Sequence, residues 1–189
     1  MTNTTNDERV EILSEKELRR TISRLASQVL ETVSDSQDLL LLGIPTRGVQ
    51  LSRVLANELQ EIVGHSIDQG SIDPTFHRDD LVRIGTRMAQ PTDLPSTVED
   101  RQVVLVDDVI FTGRTVRAAL EALHVWGRAK RVMLLVMVDR GHRELPIQPD
   151  FCGRQVPTRR TEVVELRLRD LDQEEGVFLR KFVKETKNS

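Results

Sequence analysis

Residues Val103–Thr115 read V-V-L-V-D-D-V-I-F-T-G-R-T, and no other run constrains the fold as tightly. Four consecutive apolar residues have no polar side, so they suit a strand covered on both faces, as in a parallel sheet. Adjacent carboxylates follow at once, in a place that packing does not explain. In open parallel sheets ligands bind beyond the carboxyl ends of the strands. Thr112, Gly113, Arg114 and Thr115 come next and can turn backbone N–H groups and hydroxyls toward one point at a helix start, where the helix dipole adds positive potential. That suits a phosphate monoester. Asp107 and Asp108 would repel each other if left alone, but they are reasonable if they accept hydrogen bonds from vicinal hydroxyls and face a divalent cation. A phosphorylated ribose with magnesium supplies both. The blander reading makes Thr112 a helix cap, Gly113 a turn residue and the aspartates solvated, and it leaves the carboxylates unexplained. A Walker-type nucleoside-triphosphate loop is excluded, because its Gly-x-x-x-x-Gly-Lys-Ser/Thr spacing is absent.

The flanking sequence extends this unit into an α/β domain. Arg101–Val106 and Arg131–Val138 read as buried strands joined by a helix over Arg114–Trp126, with Val116, Leu120 and Leu123 inward and Gly127 at its end. Strand, helix and strand of this length imply a right-handed crossover in a parallel sheet. Asp38–Ile44 is a further buried strand. It ends in Pro45, Thr46, Arg47 and Gly48, and a helix over Val49–Ile62 follows, with Leu51, Leu55, Leu59 and Ile62 on one face and Gly64 positioned to stop it. Ser14 and Glu17 form a capping box before an amphipathic helix carrying Leu18, Ile22, Leu25, Val29 and Val33. Arg19, Arg20 and Arg24 lie on its other side. Ile67–Phe76 is a weaker strand interrupted by Gly70 and Pro74, Leu81–Val98 is the longest loop, and Glu162–Leu168 alternates as a half-exposed strand should. Residues 1–12 are polar and expected to fray as a flexible N-terminus before a single domain over 13–189. The tail from Glu174 has mixed periodicity and receives no assignment.

With 189 residues the chain fits one domain stable without staples. Its 27 basic and 30 acidic side chains leave a formal charge of −3, so no global field draws it to nucleic acid or an anionic membrane. A polyanion partner has to be met by a local patch. Cys152 is the single cysteine, which excludes a disulfide framework within the chain and a thiolate metal cluster and suits the reducing cytoplasm. No signal-like start and no apolar run of membrane-spanning length is present, so no membrane association is expected.

The acidic segment resembles the signature that binds 5-phosphoribosyl-1-diphosphate (PRPP) in type I phosphoribosyltransferases. Together with G-I-P-T-R-G at Gly43–Gly48, G-S-I-D-P-T-F-H-R-D-D-L at Gly70–Leu81 and V-D-R-G-H-R-E-L-P-I at Val138–Ile147, it resembles the PyrR family over nearly the whole chain. The resemblance implies an α/β type I phosphoribosyltransferase fold: a central, mainly parallel sheet flanked by helices, with a small hood and a mobile lid loop. It also implies transfer of phosphoribose from PRPP to uracil with Mg2+, giving UMP and diphosphate. A second role follows from it, as a UMP-responsive, RNA-binding regulator acting on pyrimidine operon leader mRNA. A homodimer or homotetramer is expected on the same ground.

Carried onto this chain, the resemblance gives Asp107, Asp108, Thr112, Gly113, Arg114 and Thr115 to the ribose and phosphate, the aspartates reaching the metal indirectly through ribose hydroxyls or water. Thr46, Arg47 and Gly48 belong to the diphosphate loop, in which Pro45 replaces a common lysine. Arg83 and Arg87 belong to the lid, with Arg78, Asp79 and Asp80 at its base. Phe111, Val138, Asp139, Arg140 and Gly141 are implied in uracil binding, with backbone groups around Asp139–Gly141 reading the base edge. His142 is not assigned as a base. Ser23, Arg24, Arg143, Arg154 and Thr158 are the RNA candidates, with Arg159 and Arg160 nearby; Gln148 and Ser27 stand where basic residue and histidine occur in the family. Phe111 takes the place where purine-using relatives carry an acidic residue, which argues against purines. The competing readings are an RNA-binding regulator of this fold with little or no catalysis, and a purine or xanthine phosphoribosyltransferase.

Overall fold

The computed structural model describes residues 6–78, 91–95 and 97–183. Its centre is a five-stranded sheet of order β3-β2-β4-β5-β6, with strands β2 (Leu39–Gly43), β3 (Asp68–Ser71), β4 (Gln102–Ile110), β5 (Arg131–Asp139) and β6 (Phe151–Gln155), every neighbouring pair parallel. The apolar runs explain the order of burial. Leu39–Leu42 and Val103–Val106 lie in the middle of the sheet with almost no exposure, because helices cover both faces. Helices α1 (Glu15–Thr32) and α2 (Arg47–Val63) pack on one face with Leu25, Val29, Leu51, Leu55 and Leu59, while α3 (Arg114–His124) packs on the other through Val116, Ala119, Ala122 and Leu123. The capping box is formed, the Ser14 N–H donating to Glu17 at 2.9 Å, and Gly64 ends α2 with φ +76°.

The structure corrects several local expectations. The β4 ladder does not stop at Val106; it continues to Ile110 opposite Asp139 because β5 is long enough to pair with it. Leu120 is 40% exposed and Ile62 54% exposed, so neither belongs to the core. On α3 the alanines face the sheet instead and let the helix approach closely. The weak strand near Gly70 is shortened to Asp68–Ser71, and a single 3-10 turn over Thr75–His77 follows Pro74, which has no N–H for a ladder.

The larger correction concerns the chain ends. Residues 6–13 do not fray; they form β1 (Asn6–Leu13), which pairs antiparallel with β8 (Gly176–Val183), and β8 pairs with β7 (Val163–Arg167). This small sheet is the hood. Val10 and Ile12 pack against the same core as α1, and Leu166 and Val177 are fully buried in it. No helix among the described residues is long and apolar enough to cross a membrane.

Candidate phosphoribosyl site

The site forms where the carboxyl ends of β2, β4 and β5 meet the starts of α2 and α3. Adjacent residues of a strand leave it in different directions, yet both aspartates at the end of β4 reach one hollow. Asp107 is 6% exposed and lines two adjoining hollows, whereas Asp108 lines only one of them. The first hollow, about 280 Å³, lies against Ile110, Phe111, Thr112, Gly113, Arg114 and Thr115. The second, about 310 Å³, lies against Pro45, Thr46 and Arg47. Val109, Arg78 and Thr115 border both. Arg78 Nη1 reaches Thr115 Oγ1 at 2.5 Å, so a guanidinium from beyond the 3-10 turn spans the wall between the hollows. Neither Arg78 nor Val109 follows from the acidic motif alone; Arg78 had its only sequence signal in the family likeness.

Two glycines explain why this geometry exists. A Cβ on Gly48 would sit 2.3 Å from the carbonyl oxygen of Val106, and one on Gly43 would sit 2.4 Å from Val49 Cα. The start of α2 therefore rests directly on the end of β4, with Arg47 beside Asp108. The Pro45–Thr46 peptide in this loop is cis. On the other side, Gly113 precedes α3 with φ +91°, a conformation other L-residues rarely adopt. It turns the chain so that the first N–H groups of α3 meet the hollow, where their partial positive charge favours an anion.

Burial pushes the Asp108 carboxyl above the usual carboxylate range, opposed by hydrogen bonding with Asp107 and by the charge of Arg47. Hydroxyl donors and a cation would reverse that penalty. Among the described residues no group of three or more His, Cys, Asp or Glu side chains is placed to hold a metal. The aspartate pair nonetheless fits magnesium, an ion held by hard oxygens and usually completed by substrate oxygens and water.

The loop after β5, where the family likeness places the base, is braced. Arg143 donates from Nη2 to Asp139 at 2.6 Å, from Nε to the Ile147 carbonyl at 2.8 Å and from Nη1 to the Phe111 carbonyl at 2.8 Å. This arginine holds the loop together, which differs from a side chain offered to RNA. Asp139 also accepts from the Gly141 N–H at 2.9 Å, and the Arg140 N–H donates to Ile110 at 3.2 Å. Two of the backbone donors expected to read a base are thus already engaged. Carbonyl oxygens keep a second lone pair, so the loop offers acceptors more readily than donors. Phe111 carries the Arg140 guanidinium 4.2 Å from its ring centroid and His142 edge-on at 5.5 Å. His142 Nε2 lies 2.6 Å from the Thr158 carbonyl, which can only accept, so that nitrogen carries a proton and is no base. Arg140 Nε donates to Thr158 Oγ1 at 3.1 Å. Glu144 joins the two sides: it accepts from Arg114 at 3.0 Å and Arg160 at 3.1 Å, and its N–H donates to Thr112.

The remaining RNA candidates separate. Arg24 donates to the Gly153 carbonyl of β6 at 2.7 Å, and Arg154, the next residue of that strand, is exposed with the Glu17 carboxylate in its field. Ser23 is turned to Glu58 of α2. Cys152 is half-buried, and burial pushes its thiol up, as expected of a packing residue. Arg83, Arg87, Asp79 and Asp80 lie outside the described residues.

Comparison with known proteins agrees with this geometry. The phosphoribosyl transferase domain family matches residues 9–164. The bifunctional protein PyrR of Thermosynechococcus vestitus is 54% identical over 90% of this chain and 93% of its own length, and that of Corynebacterium glutamicum is 46% identical over 90% and 91%. Among solved structures, the hypoxanthine phosphoribosyltransferase of Trypanosoma cruzi superposes with a TM-score of 0.70 at 15% identity over 95% of this chain and 97% of that one, and a hypoxanthine-guanine phosphoribosyltransferase of Bacillus anthracis gives 0.68 at 15% over 90% and 96%. The latter two share the fold. The conjunction of an acidic strand end, a helix-start cradle and relatives alike from end to end makes this chain a phosphoribosyltransferase of the PyrR family.

Proposed function

We propose that the chain transfers the phosphoribosyl group of PRPP to uracil, releasing diphosphate, and that it regulates pyrimidine operon expression by binding leader mRNA in response to UMP. The observation that carries the first half is the paired hollow at the end of β4, with a helix-start cradle on one side of Asp107 and Arg47 on the other. The 5-phosphate takes the N–H groups and hydroxyls of Thr112–Thr115, and the ribose hydroxyls face Asp107 and Asp108. Thr46, Arg47 and Gly48 receive the diphosphate. Asp107 and Asp108 would hold magnesium through ribose hydroxyls or water, and the ion would supply charge neutralisation to the departing diphosphate.

In the reaction the C1–oxygen bond to diphosphate breaks with its electron pair, and N1 of uracil, having lost its proton to solvent, forms the new bond to C1. Preorganised donors and charges around developing charge are the main source of acceleration in such a step. Phe111 supports the choice of base. It cannot accept a proton from a purine, whereas the uracil nitrogen is acidic enough to react as an anion. The braced loop around Asp139–Gly141, rich in acceptors, suits the imide N–H of uracil. Arg24 and Arg154 supply the local positive charge that RNA needs.

Turnover with uracil, hypoxanthine and guanine tests the base. Uracil with PRPP and magnesium is expected to give UMP at a rate rising with pH toward the ionisation of uracil, with both purines poor substrates. Purine turnover equal to that of uracil would leave only the PRPP site standing. RNA binding measured with and without UMP tests the regulatory half, which fails if a pyrimidine-operon leader is not preferred over unrelated RNA.

A further inference from the structure

Arg47 occupies the first position of α2 and lines the diphosphate-side hollow, yet its guanidinium is gripped from outside that hollow. Nη2 donates to Asp172 Oδ1 at 2.9 Å and Nη1 donates to Oδ2 in a still closer contact, a two-pronged fork. Asp172 belongs to the hood side of the molecule, in the short turn α4 (Arg169–Asp172) between β7 and β8. Its own orientation is fixed, because Oδ2 also accepts the Leu168 N–H at 3.1 Å, and Leu168 is buried in the shared core. The Asp172 side chain is 10% exposed, and it is not among the residues lining the hollow.

We propose that Asp172 is a positioning residue: from the hood it fixes the plane of Arg47 so that the adjacent edge of the guanidinium, bearing Nε–H and one Nη–H, faces the diphosphate of the substrate and product. This rests on the phosphoribosyl-transfer reading of the same site. A guanidinium presents five N–H donors in one rigid plane. A carboxylate that takes one N–H from each Nη leaves Nε–H and one further Nη–H side by side on an edge of fixed orientation, and a side chain already ordered loses less freedom when the anion arrives. A competing carboxylate would have to stand in the hollow, and Asp172 stands outside it. The hood thereby contributes a working part to a site whose other residues belong to the parallel sheet and its loops.

The test is calorimetric affinity for magnesium diphosphate, which needs no base and no turnover, on wild-type protein, Asp172→Asn, Asp172→Glu, Arg47→Lys and the double variant Arg47→Lys/Asp172→Asn, each checked by thermal unfolding. Asp172→Asn keeps the size of the side chain and removes its charge, and it should weaken binding about fivefold, at the upper end for a partly exposed ion pair. Asp172→Glu should restore part of the loss. Arg47→Lys lacks the fork, so adding Asp172→Asn to it should cost nothing further; a purely structural Asp172 would give additive losses. Additive losses, an unchanged affinity in Asp172→Asn, or tighter binding there, as expected if Asp172 competed with the anion, would each overturn the proposal. Uracil turnover by the wild type is scored separately: its failure with diphosphate binding intact rejects the base assignment and leaves Asp172 in place.

Discussion

The five-stranded sheet and the hood separate stability from chemistry in different ways. In the parallel sheet the division runs along each strand. Residues 103–106 of β4 are apolar and sealed, and the next two are acidic and line the site. In the hood the division runs across the strands. Val164 and Leu166 of β7 point into the core while Glu165 and Arg167 alternate with them and form ion pairs, Glu165 with Arg180 at 2.8 Å and Arg167 with Glu174 at 2.9 Å. The consequence is that the sheet concentrates its acidic groups at one end, whereas the hood spreads charge over its face and grips Arg47 directly through Asp172, with Glu165 adding charge from further away.

The largest expected effect sharpens this comparison at the strand tip. Asp107→Asn and Asp108→Asn each remove a charge from the acidic end of β4 while preserving side-chain size. Each should lower kcat by roughly 100-fold or more, the scale on which a positioned electrostatic contact acts, about 3 kcal/mol of transition-state stabilisation. The thermal midpoint should hold or rise, since burial already disfavours the Asp108 carboxylate. Steady-state kinetics beside a melting curve checks this. Wild-type activity in both variants would mean that the tip of β4 is no more chemical than the hood.

The same contrast explains what can be read in the sequence. The strands over 39–43, 102–106 and 131–138, the helices on both faces, and the cluster at Asp107–Thr115 all announce themselves within a dozen residues, through sealed apolar runs, periodic helix faces and punctuating glycines, whereas the continuation of β4 to Ile110 does not. β1 and β8 do not, because N-D-E-R-V-E-I-L is too polar to suggest a strand until it finds a partner at the other end of the chain. Their pairing is a tertiary fact. Leu120 failed for a related reason: helical periodicity marks an apolar face, but the alanines beside it determine which side approaches the sheet. In the site, carboxylates, threonines and glycines were legible from type and spacing. The Arg47–Asp172 fork and the pinning of Arg143 were not, since an arginine in a loop carries no local sign of the carboxylate or carbonyl it will meet.

A smaller effect distinguishes the arginines of the loop after β5 from those along β6. Arg154 is exposed on the edge strand β6 beside Arg24, and Arg143 is locked to Asp139, Phe111 and Ile147 with 13% of its side chain exposed. Arg154→Ala should weaken binding to leader RNA, flatten the slope of log affinity against log salt by about 1, and spare UMP formation. Arg143→Ala should instead impair uracil turnover, because it frees the loop that bears Asp139–Gly141. Filter binding across a salt series, paired with the uracil assay, separates the two. If Arg143→Ala lowers RNA affinity and leaves uracil KM unchanged, the loop is an RNA surface after all and the division between base side and edge strand fails.

The smallest expected effect concerns the link between hood and sheet, through the acid dependence of the Arg47–Asp172 pair. The fork from Arg47 holds the Asp172 carboxyl below the usual aspartate range, with burial opposing it. The unfolded chain has no such partner, so its carboxyl takes up a proton at the ordinary value of about 4. Between that value and the lower folded one the unfolded state binds more protons, and stability rises with pH there. The contribution is therefore complete above the unfolded value and is lost as pH falls through the folded value. Arg47 is 30% exposed at its side chain, which limits the pair to about 1 kcal/mol. Urea unfolding of wild type and Asp172→Asn should show a gap of that order at pH 6 that closes as the medium is made more acid. A gap that persisted unchanged at pH 2 would assign the loss to packing instead of charge, and the hood carboxylate would then be no different in kind from the apolar residues around it.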